Sequence, residues 1–202
     1  TIEGGEGVGK STVQKILGRL LRDQGIPVTL TREPGGTALG EAVRELLLDT
    51  EGVPPTGLAE LLLIFAARAQ HLADVIKPAL SQGQWVVCDR FTDATYAYQG
   101  AARGITTQYI DDLEMLVQGS LKPDKVLLLD MDPLAGLERA KRRGVLDRFE
   151  REEISFFERV RQGYLDRALD APERYEIINA ARELSDVEKD LAKVLDECLK
   201  DV

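Results

Sequence analysis

The chain has 202 residues, of which 44% are hydrophobic and 30% charged, with a net charge of −9. That length and composition fit one domain with a sizeable core. The acidic balance disfavours a surface for the nucleic-acid backbone, which needs clustered positive charge, but allows anionic small molecules at local basic clusters.

Thr1 and Ile2 read as the end of a first strand, so several more apolar residues are expected upstream. Residues 4–11, Gly-Gly-Glu-Gly-Val-Gly-Lys-Ser, then fit the phosphate-loop pattern G-x-x-x-x-G-K-[ST]. Glycines let the backbone turn tightly and aim N–H groups at phosphate oxygens. Lys10 supplies a point charge for the terminal phosphates, and Ser11 a hydroxyl for Mg²⁺. Gly4, Gly7, Val8, Gly9, Lys10, Ser11 and Thr12 are therefore the candidate polyphosphate ligands. The helix predicted over 11–24 adds its positive end, and Gly25 marks its stop.

Beyond it, Pro27–Thr31, Trp85–Asp89, Lys125–Asp130 and Tyr175–Asn179 read as short, nearly continuous apolar strands, as expected of a parallel sheet covered on both faces. Helices are predicted at 37–48, 58–80, 106–118, 133–143, 153–169 and 185–200. Pro78 should end or kink the long third one. Asp132-Pro133 and Ser185-x-x-Glu188 are helix-start signals. The alternation predicts a doubly wound α/β fold, a five-stranded parallel sheet flanked by helices, in a single domain over 1–202. Cys88 and Cys198 form neither a disulfide framework nor a metal pattern; Cys88 reads as a core thiol. No apolar run approaches the roughly 18 residues of a membrane span. With no signal peptide visible, a cytoplasmic protein is expected.

Three further stretches carry candidate chemistry. Strand three ends in Asp89-Arg90, where parallel sheets bind ligands: Asp89 could serve Mg²⁺ and Arg90 a phosphate. A structural Asp–Arg pair is the alternative. Thr31–Gly36 (TREPGG) ends strand two, making Arg32 and Glu33 ligand candidates, although Pro-Gly-Gly alone says only turn. Residues 139–148 hold five basic side chains in ten, either a solvated helix end or a lid delivering arginines to a transferring phosphoryl group. His71, the one histidine, reads as a surface or core residue before a catalyst. Phe65 and Arg68 share a helix face. Tyr96, Tyr98 and Gln99 are pocket candidates.

In this order, Glu3–Thr12, Thr31–Gly36, Phe65–His71, Asp89–Phe91 with Ala97–Gly100, and Leu146–Glu150 resemble the thymidylate kinase family over most of the chain. The phosphate loop is generic; the TREPGG and AYQG strings are more specific. The resemblance implies a P-loop nucleoside monophosphate kinase fold and ATP-dependent phosphorylation of dTMP to dTDP, with ATP and Mg²⁺ as cofactors. It implies a homodimer; the charge and the short apolar runs already argue against a nucleic-acid or membrane partner. It also implies that Glu6 meets the deoxyribose 3′-hydroxyl, Arg90 the acceptor phosphate and Arg68 the thymine ring. Glu33, Pro34 and Arg44 would line the acceptor pocket, with Thr95 and Gln99 at the base edge. Phe65 is the candidate for the thymine face; Ile64, four before Arg68, is the alternative. Ala94 stands where the family frequently has Ser.

A loop with Glu6 but no arginine resembles the bacterial type with lid arginines. Arg139, Arg142, Arg143 and Arg148 are then the lid candidates, within a lid at about 139–152: Arg139 toward ATP, and Arg142 and Arg143 beside Lys10, Asp89 and Arg90 at the reacting phosphates. No general base is required, because a phosphate monoester is already largely ionised at neutral pH. Competing expectations are a nucleoside kinase on the same scaffold, with a carboxylate base, and a nucleotide switch. The guanine-specifying Asn-Lys-x-Asp of GTP switches is absent from the sequence.

Overall fold

A computed structural model describes residues 1–142, 144 and 147–200. The described residues form a five-stranded sheet in the order β2-β3-β1-β4-β5, parallel at every junction. The strands are β1 (Ile2–Glu3), β2 (Val28–Arg32), β3 (Trp85–Asp89), β4 (Val126–Asp130) and β5 (Tyr175–Asn179). The order reverses at β1, which is where an α/β sheet opens a crevice beyond its carboxyl ends.

Both faces of the sheet are covered, and the strands divide their side chains by the period of two. On β4, Leu127 and Leu129 join the core built with α1 (Lys10–Asp23) and α9 (Leu184–Cys198). Val126 and Leu128 join the opposite core, with α7 (Pro133–Lys141), α8 (Ile154–Asp170) and the segment 96–102. Cys88 is a buried thiol, as its apolar run suggested.

Helix ends follow ordinary chemistry. Thr37, Thr56 and Asp132 cap α2 (Ala38–Leu48), α3 (Gly57–His71) and α7, each side chain accepting a backbone N–H. Gly25, at φ 75°, turns the chain out of α1. The expected cap at Ser185 is not formed: α9 starts at Leu184, Ser185 lies inside its first turn, and Glu188 pairs with Arg19 of α1 instead.

The predicted 58–80 helix does not stop at Pro78. After α3 the chain widens into a π-helical turn, Leu72–Ile76, in which the Lys77 N–H reaches Leu72 O, and α4 (Lys77–Ser81) follows. Proline lacks an N–H and presses on the carbonyl four residues back, and the wider turn relieves both problems. A helical stretch that periodicity missed follows β3: α5 (Thr92–Thr95) runs into a second π-helical segment, Tyr96–Ala102, packed against α8. The remaining helix, α6 (Thr107–Gln118), packs on α3.

Candidate functional site

The carboxyl ends of the central strands open into a cleft of about 530 Å³. The phosphate loop forms its floor at one end. Gly4, Gly7 and Gly9 all have positive φ, and Gly9 leads directly into α1. Gly7 has a second reason to be glycine: a Cβ there would lie 1.8 Å from the Gly136 carbonyl oxygen. The loop is therefore braced against α7 by direct backbone contact. Lys10 Nζ donates to Gly4 O at 3.1 Å and Gly5 O at 2.6 Å. Burial, with the neighbouring Arg90 charge, lowers its pKa to about 8.

Glu6, Gly7, Gly9, Lys10, Ser11 and Thr12 line the cleft; Gly4 and Val8 do not. The Val8 side chain is packed into the core beneath the loop, so only its backbone could serve a phosphate. Ser11 Oγ donates to Asp89 Oδ2 at 3.3 Å. Two hard oxygen donors, with no larger metal-ligating group among the described residues, suit a cation that keeps water and phosphate as its other ligands, as Mg²⁺ does.

Asp89 and Arg90 are not paired with each other. Arg90 has φ 68°, an uncommon conformation for a non-glycine residue, and its backbone N–H bonds to Ile2 O at 2.9 Å. The bend delivers its guanidinium to Glu6, with Gly4 O at 3.3 Å and the Tyr98 ring 4.7 Å beneath. Tyr98 donates to the same Glu6 oxygen at 2.8 Å. Burial opposes the charge of Arg90, but Glu6 and the surrounding groups outweigh it and hold its pKa well above the ordinary value. Below this cluster lies Glu3, fully buried, which accepts from Phe91 N at 2.7 Å and from the Tyr164 hydroxyl at 3.0 Å. Burial and the nearby Asp93 raise its pKa to about 7.

At the other end of the cleft stand Glu33, Pro34, Arg44, Arg68, Thr95 and Gln99. Arg44 donates to Pro34 O at 3.2 Å. Arg68, 1% exposed, donates from Nε to Glu33 at 2.7 Å and from Nη2 to Thr95 Oγ1 at 3.0 Å. Its Nη1 is buried with no hydrogen-bond partner among the described residues. A buried charged donor left unmatched is costly, and Arg68 lines the cleft, so Nη1 is a candidate contact for a ligand acceptor that displaces the groups covering it.

Phe65 does not line the cleft, contrary to expectation. It packs with Leu61, one turn back, against Ile110 of α6, and its ring lies 4.7 Å from the Arg68 guanidinium, which Phe91 flanks at 5.1 Å. Ile64, one turn before Arg68, faces the cleft instead.

The basic run is divided. Arg139 lines the cleft and donates to Ala180 O at 3.0 Å. Arg142, at the solvent-exposed end of α7, does not line it. Arg143 lies outside the described residues, as does Leu146. Arg148 turns back to the body of the protein, donating to Leu47 O at 2.7 Å and pairing with Glu60. Glu60, fully buried, also accepts from Gln99 at 2.7 Å and Arg103 at 3.2 Å. Asp147, Phe149 and Glu150 complete the cleft wall.

Sequence reasoning missed Glu3, Glu60, Tyr164 and Phe149. Glu60 stands in the first turn of α3, where an acidic residue is accounted for by the helix dipole alone, and nothing local says that it is buried.

The thymidylate kinase family model matches residues 2–191. The chain is 56% identical to a thymidylate kinase of Teredinibacter turnerae, over 98% of this chain and 97% of that one. It is 54% identical to a thymidylate kinase of Ectopseudomonas mendocina, over 99% and 95%. The crystal structure of a thymidylate kinase from Ehrlichia chaffeensis superposes with a TM-score of 0.78 at 36% identity, covering 96% of both chains.

Proposed function

The chain belongs to the thymidylate kinase family, and from that premise we propose which residues carry the transfer of the ATP γ-phosphoryl group to dTMP. The observation that carries the assignment is a single cleft with two chemically distinct ends. One end has the phosphate loop, Lys10 and Arg90; the other has the buried, unmatched Nη1 of Arg68. The first end suits phosphates and the second the edge of a pyrimidine.

In this reading Lys10 and the loop backbone hold the donor phosphates, with Arg139 beside them. Arg90 holds the acceptor phosphate, and its pairing with Glu6 keeps it at the phosphate end until a phosphate takes it over. Glu6 and Tyr98 meet the sugar. Arg68 meets the base edge, Thr95 holds Arg68, Gln99 lies at the base edge, and Ile64 rather than Phe65 covers the ring face. Mg²⁺ would be held by Ser11, and by Asp89 through water. When bound, it supplies charge that offsets the phosphates. The acceptor oxygen is already ionised, so the protein's work is positioning and charge neutralisation.

We further assign residues 1–202 to one kinase domain with a lid at about 139–152, working as a cytoplasmic homodimer. Among the described residues no helix is long and apolar enough to cross a membrane. Leu58 and Leu62, one turn apart and half exposed on α3, give that helix an apolar outer face for a partner. Light scattering of the purified protein should give twice the chain mass. The substrate assignment is tested by a coupled ADP-release assay with dTMP, UMP and AMP. A strong preference for dTMP is expected; equal turnover of the three would overturn it.

A further inference from the structure

His71 has no place in the site described so far, yet it is fully buried among the residues that form the base end. Its Nδ1 lies 2.8 Å from Glu33 Oε1 and its Nε2 lies 2.6 Å from Thr31 Oγ1. An ionised carboxylate only accepts, so Nδ1 carries the proton; in the neutral ring, Nε2 then accepts from the threonine hydroxyl. Thr31, Glu33 and Gly36 all belong to the Thr31–Gly36 turn and all meet this ring. A Cβ on Gly36 would lie 2.8 Å from His71 Nε2 and 2.6 Å from Thr31 Oγ1, at a φ of 76°. The turn is shaped around the imidazole.

What the imidazole does follows from the carboxylate it holds. A free carboxylate beside an arginine tends to take two N–H groups in a fork. Glu33 takes only one, Nε of Arg68, because its other oxygen is occupied by His71. Nη2 goes to Thr95 instead, and the guanidinium lies between the Phe65 and Phe91 rings. Every edge of Arg68 except Nη1 is thereby fixed. We infer that His71 is a positioning residue for base recognition. By holding Glu33 to a single-pronged contact, it keeps the Arg68 plane in the orientation that leaves Nη1 for the pyrimidine. Without it, Glu33 can take Nε and Nη2 together, displace Thr95 and turn the plane.

The inference rests on the proposal that Arg68 meets the base, so the test separates the two. His71→Leu should raise KM for dTMP roughly tenfold with kcat changed by no more than about twofold, since one charge-assisted contact is lost. KM for ATP should not move. His71→Asn, which restores a donor toward Glu33, should recover most of the loss. Thr31→Val, a milder removal of the outer partner, should raise KM for dTMP in the same direction. Combined with Arg68→Lys, His71→Leu should add no further increase, whereas a general packing defect would add in full and lower kcat and melting temperature in both backgrounds. If Arg68→Lys raises KM for dTMP but His71→Leu and Thr31→Val do not, the positioning role is wrong. If Arg68→Lys leaves KM for dTMP unchanged, the base contact itself is wrong and the inference falls with it.

Discussion

The two ends of the cleft are built on opposite terms. At the proposed base end Arg68 is clamped by Glu33, Thr95 and two aromatic rings, and of its nitrogens Nη1 has no partner among the described residues. At the phosphate end each described cation already has a protein acceptor. Lys10 donates to loop carbonyls, Arg90 to Glu6, and Arg139 to Ala180 O. A base edge carries little charge and is recognised by geometry, so a rigid, preset donor suits it. Phosphates carry full charge and can compete for a cation against a carbonyl or, for Arg90, against the Glu6 carboxylate, so that end can exchange partners. In the proposed assignment recognition is thus preset, while the catalytic charges would be redistributed as substrate arrives.

The largest expected effect sits at the phosphate end. Lys10→Ala should lower kcat on the order of 10³-fold. Far-ultraviolet circular dichroism should stay native, and dTMP affinity, measured by calorimetric titration, should remain close to the parent's. A large loss of dTMP affinity would show that the ends are not separable. Next comes pH. Because burial lowers the Lys10 pKa to about 8, the free enzyme loses that charge as pH rises past this value. The quantity kcat/KM for ATP, which reports the free enzyme, should fall above pH 8 toward about tenfold per pH unit. Its counterpart for dTMP binding, measured by titration without ATP, should stay level there. A level ATP profile through the same range would contradict the assigned charge. The smallest effect is at the base end. Thr95→Val strips one acceptor from Arg68 and should raise KM for dTMP about fivefold, leaving kcat nearly unchanged. A kcat loss larger than the KM rise would blur the division between the ends.

Much of this arrangement was legible from residue types and spacing. The phosphate loop, the five strands and the α/β alternation have local causes: glycines where φ is positive, apolar runs where both faces are covered. What stayed hidden depended on contacts between distant segments. The Leu61–Ala67 stretch is apolar almost all round, so nothing in it says whether Ile64 or Phe65 faces a ligand; α6 decides by claiming Phe65. The Thr92–Ala102 stretch lacks a 3.6-residue pattern because part of it is π-wound and much of it buried. Arg148 counted among five basic residues, and only the burial of Glu60 shows that it is spent on the protein's own frame. His71 meets Thr31 and Glu33 from 40 and 38 positions away, and no local pattern announces that.

A crystal structure with dTMP and a non-hydrolysable ATP analogue would distinguish a preset base end from an exchanging phosphate end. The Arg68–Glu33, Arg68–Thr95 and His71–Glu33 contacts should be unchanged, with Nη1 of Arg68 now on the base, while Lys10 and Arg90 should have moved onto phosphate oxygens. A rebuilt Arg68 network, or a base seated away from it with Lys10 still on the loop carbonyls, would contradict this division.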